Sequence, residues 1–144
     1  MKRAYRRVFV VLSTGVLVLA GLGWLWQSRP GYLVEPGPGT VAKAYANHWS
    51  GVMAEVQGEV VRLLLDNRDG ATQAFVIRLR NGQDLLILHD LGQADRVPVA
   101  TGDLVTVRGE YDWSETGGTM RRTFRDHSLG RRHGWIEHKT IRYE

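Results

Sequence analysis

The segment Gly102-Asp-Leu-Val-Thr-Val-Arg-Gly-Glu-Tyr-Asp-Trp113 decides the fold class of this chain. Val105, Val107, Tyr111 and Trp113 occupy odd positions, with Gly109 among them, while the even positions from 106 to 112 are polar or charged. Alternation with a period of two is typical of a strand that buries one face. The segment therefore predicts a long strand whose odd positions face a core.

The preceding part of the chain predicts three more strands joined by turns. Their inward positions are Val52, Ala54, Val56, Val61, Leu63 and Leu65, then Phe75, Ile77 and Leu79, then Leu85, Ile87 and His89. The apolar positions change parity after Gly58, which predicts a β-bulge there. Asn81-Gly82 predicts a two-residue hairpin turn between the second and third strands.

The remaining elements complete a small β fold. Thr40 can cap a short helix reaching about Trp49, residues 90–101 form a connector, and Gly117-Gly118 turns the chain into a strand over 119–124. Residues 135–143 predict a last short strand or hairpin. The fold class is therefore mainly β, a small OB-like five-stranded barrel preceded by a short helix and an N-terminal transmembrane helix. A small β-sandwich is the alternative.

The N-terminal region predicts a membrane anchor. Residues 8–26 carry no charge, and as a helix they would extend about 28 Å, close to the thickness of the hydrocarbon layer. Residues 1–7 form a basic flank with Lys2, Arg3, Arg6 and Arg7, which predicts a cytoplasmic N-terminus. A cleavable signal peptide is the alternative. Residues 27–39 form a Pro/Gly linker, and residues 40–144 form the β domain.

Charge and composition exclude several functional classes. Five of the 19 basic residues lie before residue 30, so residues 40–144 carry 14 basic and 14 acidic side chains and are neutral overall. The high isoelectric point is thus a property of the membrane flank, and no nucleic-acid partner is predicted. The chain has no cysteine, which excludes disulfides and cysteine-based zinc sites. Sequence motifs of common hydrolases and nucleotide enzymes are missing, and neither catalytic residues nor a cofactor is predicted.

An ordered series of short segments resembles a bacterial family of unknown function, domain family 3465. The segments are Gly58-Glu-Val-Val61, Leu65-Asp-Asn-Arg-Asp-Gly70, Phe75-Val-Ile-Arg-Leu79, His89-Asp90, Arg96-Val-Pro98, Gly102-Asp103, Gly109-Glu-Tyr-Asp-Trp113, Gly117-Gly118 and Gly134-Trp-Ile-Glu-His138. The resemblance covers residues 52–144. It implies a small, exported or membrane-tethered protein with an OB-like fold, and it implies no particular activity.

Basic and aromatic residues near the C-terminus are the candidate ligand-binding residues. Residues 121–144 carry seven basic and three acidic side chains, in contrast to the seven basic and eleven acidic ones of residues 40–120. The candidates are Arg121, Arg122, Arg125, Arg131, Arg132, Trp113 and Trp135. Arginine suits carboxylate and phosphate groups, so an anionic ligand is one hypothesis. Neutralisation of acids inside the folded domain is the alternative for the arginines, and core packing is the alternative for the tryptophans.

Histidines close in sequence raise the question of a metal site. His89, Asp126, His133 and His138 are the candidate ligands, but their spacing matches no established metal motif, so no metal site is predicted.

The functional prediction is a bacterial inner-membrane protein with a single span, whose C-terminal domain is a non-catalytic binding or interaction module in the periplasm or outside the cell. Its predicted partners are the membrane, through the N-terminal helix, and an anionic ligand or an envelope protein. The alternative is a metal-assisted envelope enzyme or a haem or metal carrier that uses the late histidines.

Overall fold

The computed structural model describes residues 39–68, 70–128 and 132–144. These residues form helix α1 (Thr40–Ala46) and seven strands, which are β1 (Val52–Leu63), β2 (Thr72–Leu79), β3 (Asp84–Asp90), β4 (Leu104–Asp112), β5 (Thr119–Arg121), β6 (Trp135–His138) and β7 (Ile141–Tyr143). Within the described parts of the chain, no helix is long and apolar enough to cross a membrane. The predicted anchor over residues 8–26 lies outside the described residues.

Five of the strands close into a barrel. The first half of β1 pairs with β4 and its second half with β2, while β3 pairs with β2 on one side and in parallel with β5 on the other. The pairing of β5 with β4 completes the ring. Strand β6 adds to the free edge of β4 and forms a hairpin with β7. The prediction of a mainly β fold with a closed five-stranded barrel after a short helix is confirmed.

Strand β1 changes partners where the sequence predicted a bulge, but the bulge lies elsewhere. Gly58 pairs with both Val105 and Leu79, and a Cβ atom there would stand 2.8 Å from the carbonyl oxygen of Arg78. Glycine is therefore required because two strands approach closely at this point. The register shifts at Val61, between Val60 and Arg62, so the bulge sits three residues later than predicted. Parity changes there, and Leu63 then lies opposite Phe75.

Two local predictions are corrected by the hydrogen bonds at chain turns. The β2–β3 loop has three residues rather than two, since Leu79 and Gln83 still pair and Gly82 adopts a left-handed φ of 85°. Helix α1 is shorter than predicted. Gly39 rather than Thr40 occupies its N-cap, and the helix ends at Ala46, where Asn47 takes the C-cap position.

The barrel interior is filled by the predicted inward residues of the deciding strand. Val105, Val107 and Tyr111 are buried, and Trp113 packs against the edge of the same core. Burial raises the pKa of Tyr111 to about 12, and its hydroxyl donates to the carbonyl oxygen of Gly117 at 3.1 Å. Val41 and Ala44 of α1 belong to this core, as does Val97 of the connector. A single continuous core therefore includes the barrel, the helix and the connector.

Candidate binding surfaces

The arginine-rich segment after β5 is tied to acidic side chains of the domain. Arg121 Nε lies 2.6 Å from a carboxylate oxygen of Asp112, and Arg121 also contacts Glu110 at 3.4 Å. Arg122 contacts Glu110 at 3.8 Å and Asp126 at 3.5 Å. Glu110 and Asp112 project from the outer face of β4, so these two arginines neutralise the acids of a neighbouring strand.

The other predicted arginines lie further along the same segment. Arg125 is paired with Glu144, so the C-terminal residue joins the network. Arg132 is half-buried and also takes part in an interaction, while Arg131 lies outside the described residues. For Arg121, Arg122 and Arg125, the arrangement corresponds to internal neutralisation, although each side chain keeps about half of its surface in solvent.

His89 is a buried residue with both ring nitrogens occupied. Nε2 lies 2.9 Å from the carbonyl oxygen of Asp95, which only accepts hydrogen bonds, so Nε2 carries the proton. Nδ1 then accepts from the hydroxyl of Thr123 at 2.8 Å. Burial lowers the pKa of His89, which keeps the ring neutral. In this arrangement His89 has no nitrogen left for a ligand.

His138 and Asp126, two of the other candidate metal ligands, have different hydrogen-bond partners. His138 is buried, with Nε2 at 2.9 Å from a carboxylate oxygen of Asp103. Asp126 accepts a hydrogen bond from the backbone of Ser128, and hydrogen bonds from that serine hold the pKa of its carboxyl below the ordinary value, with contributions from Arg122 and His133. The described residues contain no group of three or more His, Asp or Glu side chains arranged to hold a metal ion.

The two candidate tryptophans do not form one stacking surface. Trp113 follows β4 and stacks against His48, with ring centroids 4.3 Å apart. Its indole nitrogen is buried without a hydrogen-bond partner. Trp135 lies opposite Arg108 on the outward side of β4, where it is buried and the guanidinium of Arg142 covers its ring at 4.2 Å. The two rings are five residues apart along β4, roughly 16 Å.

An aliphatic surface lies on the outside of the barrel, where no binding residue was predicted. Ala74, Val76, Leu86 and Leu88 alternate with the inward residues of β2 and β3, and their registers place Ala74 opposite Leu88 and Val76 opposite Leu86. Val76 is buried, yet it is separate from the barrel core. We call these four residues the β2–β3 outer face. The three residues other than Val76 are half-buried, so part of an apolar surface remains accessible to solvent outside the core.

The β1–β2 loop extends this face with exposed leucines. The backbone N–H of Leu64 donates to Ala74, and Leu65 is 95% exposed. Asn67 holds the loop in place, because its side chain bonds both the backbone and the hydroxyl of Thr72. Asp66 pairs with Arg96 of the connector. The loop therefore presents Leu65 from a hydrogen-bonded framework.

The described domain fits a known family whose match spans most of the chain. The family described as protein of unknown function (DUF3465) matches residues 34–144. The chain belongs to this family. The match begins 18 residues before the region in which the sequence segments resembled DUF3465, and it includes α1 as well as the barrel. None of the curated proteins matches the chain.

Membership of the DUF3465 family assigns no role to any residue, so the candidate surfaces rest on geometry. The β2–β3 outer face was missed because only the alternating positions were assigned to a buried face. The available signal is the pair of unbroken apolar runs Ala74-Phe-Val-Ile77 and Leu85-Leu-Ile-Leu88. A continuous apolar run is typical of a strand covered on both faces. In the DUF3465 barrel, one face of each run is the core and the other is the outer surface.

Proposed function

We propose that this protein is a membrane-anchored, non-catalytic interaction module of the bacterial envelope, which binds a partner through the β2–β3 outer face of an OB-like barrel. The observation that carries the proposal is that Val76, Leu86 and their two neighbours form an aliphatic surface outside a barrel whose core is already filled. Ala74, Leu86 and Leu88 are half-buried, and the apolar surface that they still expose would gain free energy if another molecule covered it.

The barrel supports the OB-like interpretation and the position of the binding face. It has five strands, closes through the β1–β4 pairing, and contains a first strand that pairs with two neighbours and carries a bulge. OB folds commonly bind ligands on the face of their second and third strands and with the loop between the first and second. The β2–β3 outer face and the β1–β2 loop occupy those positions. This part of the argument is an analogy of fold.

The chemistry of the face favours a protein partner. Its side chains are aliphatic, whereas bases and sugars are usually held by stacking on aromatic rings. Its two ends differ, since Arg78 and Asp84 form an ion pair at 2.7 Å beside the β2–β3 turn, while leucines lie at the other end. We therefore propose an envelope protein with an apolar surface as the partner. An anionic ligand on the arginine segment is less favoured, because Arg121, Arg122 and Arg125 already have acidic partners.

The location is proposed from the sequence. The uncharged segment over residues 8–26 behind four basic residues supports a single span in the inner membrane with the barrel in the periplasm or outside the cell. Membranes washed with alkaline carbonate should retain the protein, and protease added to spheroplasts should degrade the barrel. Release of a shortened soluble protein would contradict the anchor.

A photo-crosslinking amino acid placed in the full-length protein in cells tests the binding face. At Leu88 it should give a discrete adduct with another protein. At Glu55 it should give none, because Glu55 is an exposed residue on the outside of β1 and is not part of the β2–β3 outer face. A Leu86→Lys substitution in the same chain should abolish the Leu88 adduct while the melting temperature changes little. Equal adducts from Leu88 and Glu55, or none from Leu88, would contradict the proposed face.

The second candidate is a metal-assisted envelope enzyme or a haem or metal carrier that uses the late histidines. Asp126 and His133 interact electrostatically, which is the observation in its favour. Against it, His89 uses both ring nitrogens internally, and His138 Nε2 is engaged by Asp103. Metal analysis of the purified protein after dialysis distinguishes the two candidates. Stoichiometric metal that is lost in a His133→Ala variant would favour the enzyme or the carrier.

A further inference from the structure

Aromatic side chains cluster at the end of the barrel where the described chain begins. Tyr45 and Trp49 are 36% and 39% exposed, and His48 stacks against Trp113. The ammonium group of Lys43 lies 5.9 Å from the centre of the Trp49 ring. We call Lys43, Tyr45, His48, Trp49 and Trp113 the aromatic end. Within α1, only Val41 and Ala44 are buried.

The aromatic end is fixed to the barrel. The Tyr45 hydroxyl donates to the carbonyl oxygen of Glu115 at 3.3 Å, and the backbone N–H of Trp113 donates to the Ser50 hydroxyl at 3.0 Å. Gly51 N–H donates to Asp112 at 3.0 Å. These bonds join the segment after α1 to the end of β4 and the β4–β5 loop. These hydrogen bonds hold the backbone of this segment in place. The exposure of the Tyr45 and Trp49 rings is therefore a feature of the fold.

The position of this end in the chain points to a membrane as its partner, if the proposed anchor is correct. Helix α1 is the first described element, and only the 13 residues 27–39 separate it from the end of the predicted span. Even fully extended, 13 residues reach at most about 47 Å. A short tether of this kind raises the effective concentration of the bilayer surface at the aromatic end.

The chemistry of the aromatic end matches a lipid interface. Tryptophan and tyrosine concentrate at the level of lipid headgroups, and a lysine can lay its aliphatic stem along apolar surface while its charge contacts phosphate. The opposite end of the barrel carries aliphatic leucines.

We propose that the aromatic end rests in the headgroup layer of the bilayer that carries the anchor. This inference rests on the proposed function and deepens it, because it orients the barrel. The β2–β3 outer face lies on the barrel wall, and the β1–β2 loop is at the end opposite α1, so both remain accessible to an envelope protein.

The absence of cysteine from the chain allows a clean test with the full-length protein. Single cysteines at Ala46 on the aromatic end and at Leu65 on the opposite loop carry the same environment-sensitive fluorophore. The protein is reconstituted into vesicles of phosphatidylcholine and phosphatidylglycerol that contain lipids with brominated acyl chains. We expect the label at position 46 to be quenched several-fold more strongly than the label at position 65. In a Tyr45→Ser/Trp49→Ser background the quenching at position 46 should fall to the level at position 65.

A second variant guards against a folding defect in the double serine background. Lys43→Glu reverses an exposed charge on α1 and should weaken the quenching at position 46 in these anionic vesicles, with an unchanged melting temperature. Stronger quenching at position 65 would overturn the inference in favour of insertion by the leucine loop. Quenching at position 46 that survives both variants would also overturn it, since the linker alone would then account for proximity. Release of the reconstituted protein from the vesicles by alkaline carbonate would instead overturn the anchor and, with it, the orientation.

Discussion

Two regions of the barrel wall face outwards and differ in chemistry. The outer face of β4 carries Glu110 and Asp112, whose charges are matched by Arg121 and Arg122. The β2–β3 outer face carries Ala74, Val76, Leu86 and Leu88. We call the first region the charged outer face. The difference teaches that the acids of the charged outer face are matched by the chain itself, whereas the aliphatic face has no such internal complement and is where we propose that a partner binds.

The largest expected effect is a difference in stability between substitutions on the two sides of β3. Its absence would contradict the distinction between the core and the β2–β3 outer face. Ile87 is fully buried in the core, and Leu86 beside it lies on the β2–β3 outer face. Ile87→Ala should lower the free energy of unfolding by about 2–5 kcal/mol because it leaves a cavity. Leu86→Ala should cost clearly less, because Leu86 is only partly buried. Urea denaturation of both variants checks this, and equal losses would mean that the outer face is a second core.

The charged outer face should respond to the loss of one acid. Glu110→Gln removes the carboxylate that contacts both Arg121 and Arg122, and we expect a loss of about 1 kcal/mol in the free energy of unfolding. The loss should shrink at high salt, because salt screens partly exposed ion pairs. Glu55→Gln is the matched control, since Glu55 lies on the same side of the wall and forms no described ion pair. Identical stabilities of the two variants would show that the arginine network is not stabilising.

Buried His89 should make the stability of the barrel depend on pH in a way that neither outer face does. Burial lowers the pKa of His89 below its ordinary value of 6.5, so the unfolded chain binds a proton before the folded one does. Stability should therefore fall as the pH drops below about 6.5. The carboxyls of Asp84, Asp103 and Asp126 also have lowered pKa values, and their contribution is lost only at more acidic pH, below their ordinary value of 3.8. Melting temperatures between pH 7 and 5 of the parent and a His89→Gln variant check this, and an unchanged slope in the variant would contradict it.

The smallest effect on stability is expected at the loop that extends the aliphatic region. Leu65 is almost entirely exposed, so Leu65→Ser should change the free energy of unfolding by no more than about 0.5 kcal/mol. The same substitution should weaken the adduct formed by a photo-crosslinker at Leu88, if the loop and the β2–β3 outer face bind one partner. Chemical denaturation measures the change in stability, and the crosslinking yield measures the change in binding. A large loss of stability would show that Leu65 supports the fold rather than a partner.

The sequence predicted those features that depend on near neighbours. Alternation from Val105 to Trp113 identified the central strand and its inward side, and Asn81-Gly82 located the hairpin turn. The change of parity in β1 was recognised but was assigned to Gly58 instead of Val61. A glycine within a strand indicates either a β-bulge or the close approach of another backbone. Which of the two applies depends on the partner strands. At Gly58 the carbonyl of Arg78 decides this.

The candidate site was predictable only in part, because side-chain partners come from distant parts of the chain. The arginines of residues 121–125 were recognised as a cluster, but their partners Glu110, Asp112 and Glu144 are fixed by strand pairing and by the C-terminal hairpin. Likewise, His89 appeared as a candidate ligand until Thr123 and Asp95 were brought to its two nitrogens by barrel closure. The register of Trp135 against Arg108, which buries its ring on the outward side of β4, is likewise not encoded locally.

The sequence by itself determined the mainly β class, the order of the strands and the family, since these follow from periodicity, turn residues and short motifs along one stretch of chain. Tertiary structure alone decided which polar groups are already satisfied and which apolar surface outside the core stays partly exposed. The physical reason is that hydrogen bonds, ion pairs and burial depend on distances between residues far apart in sequence. In this barrel, closure of β1 onto β4 and of β3 onto β5 sets those distances.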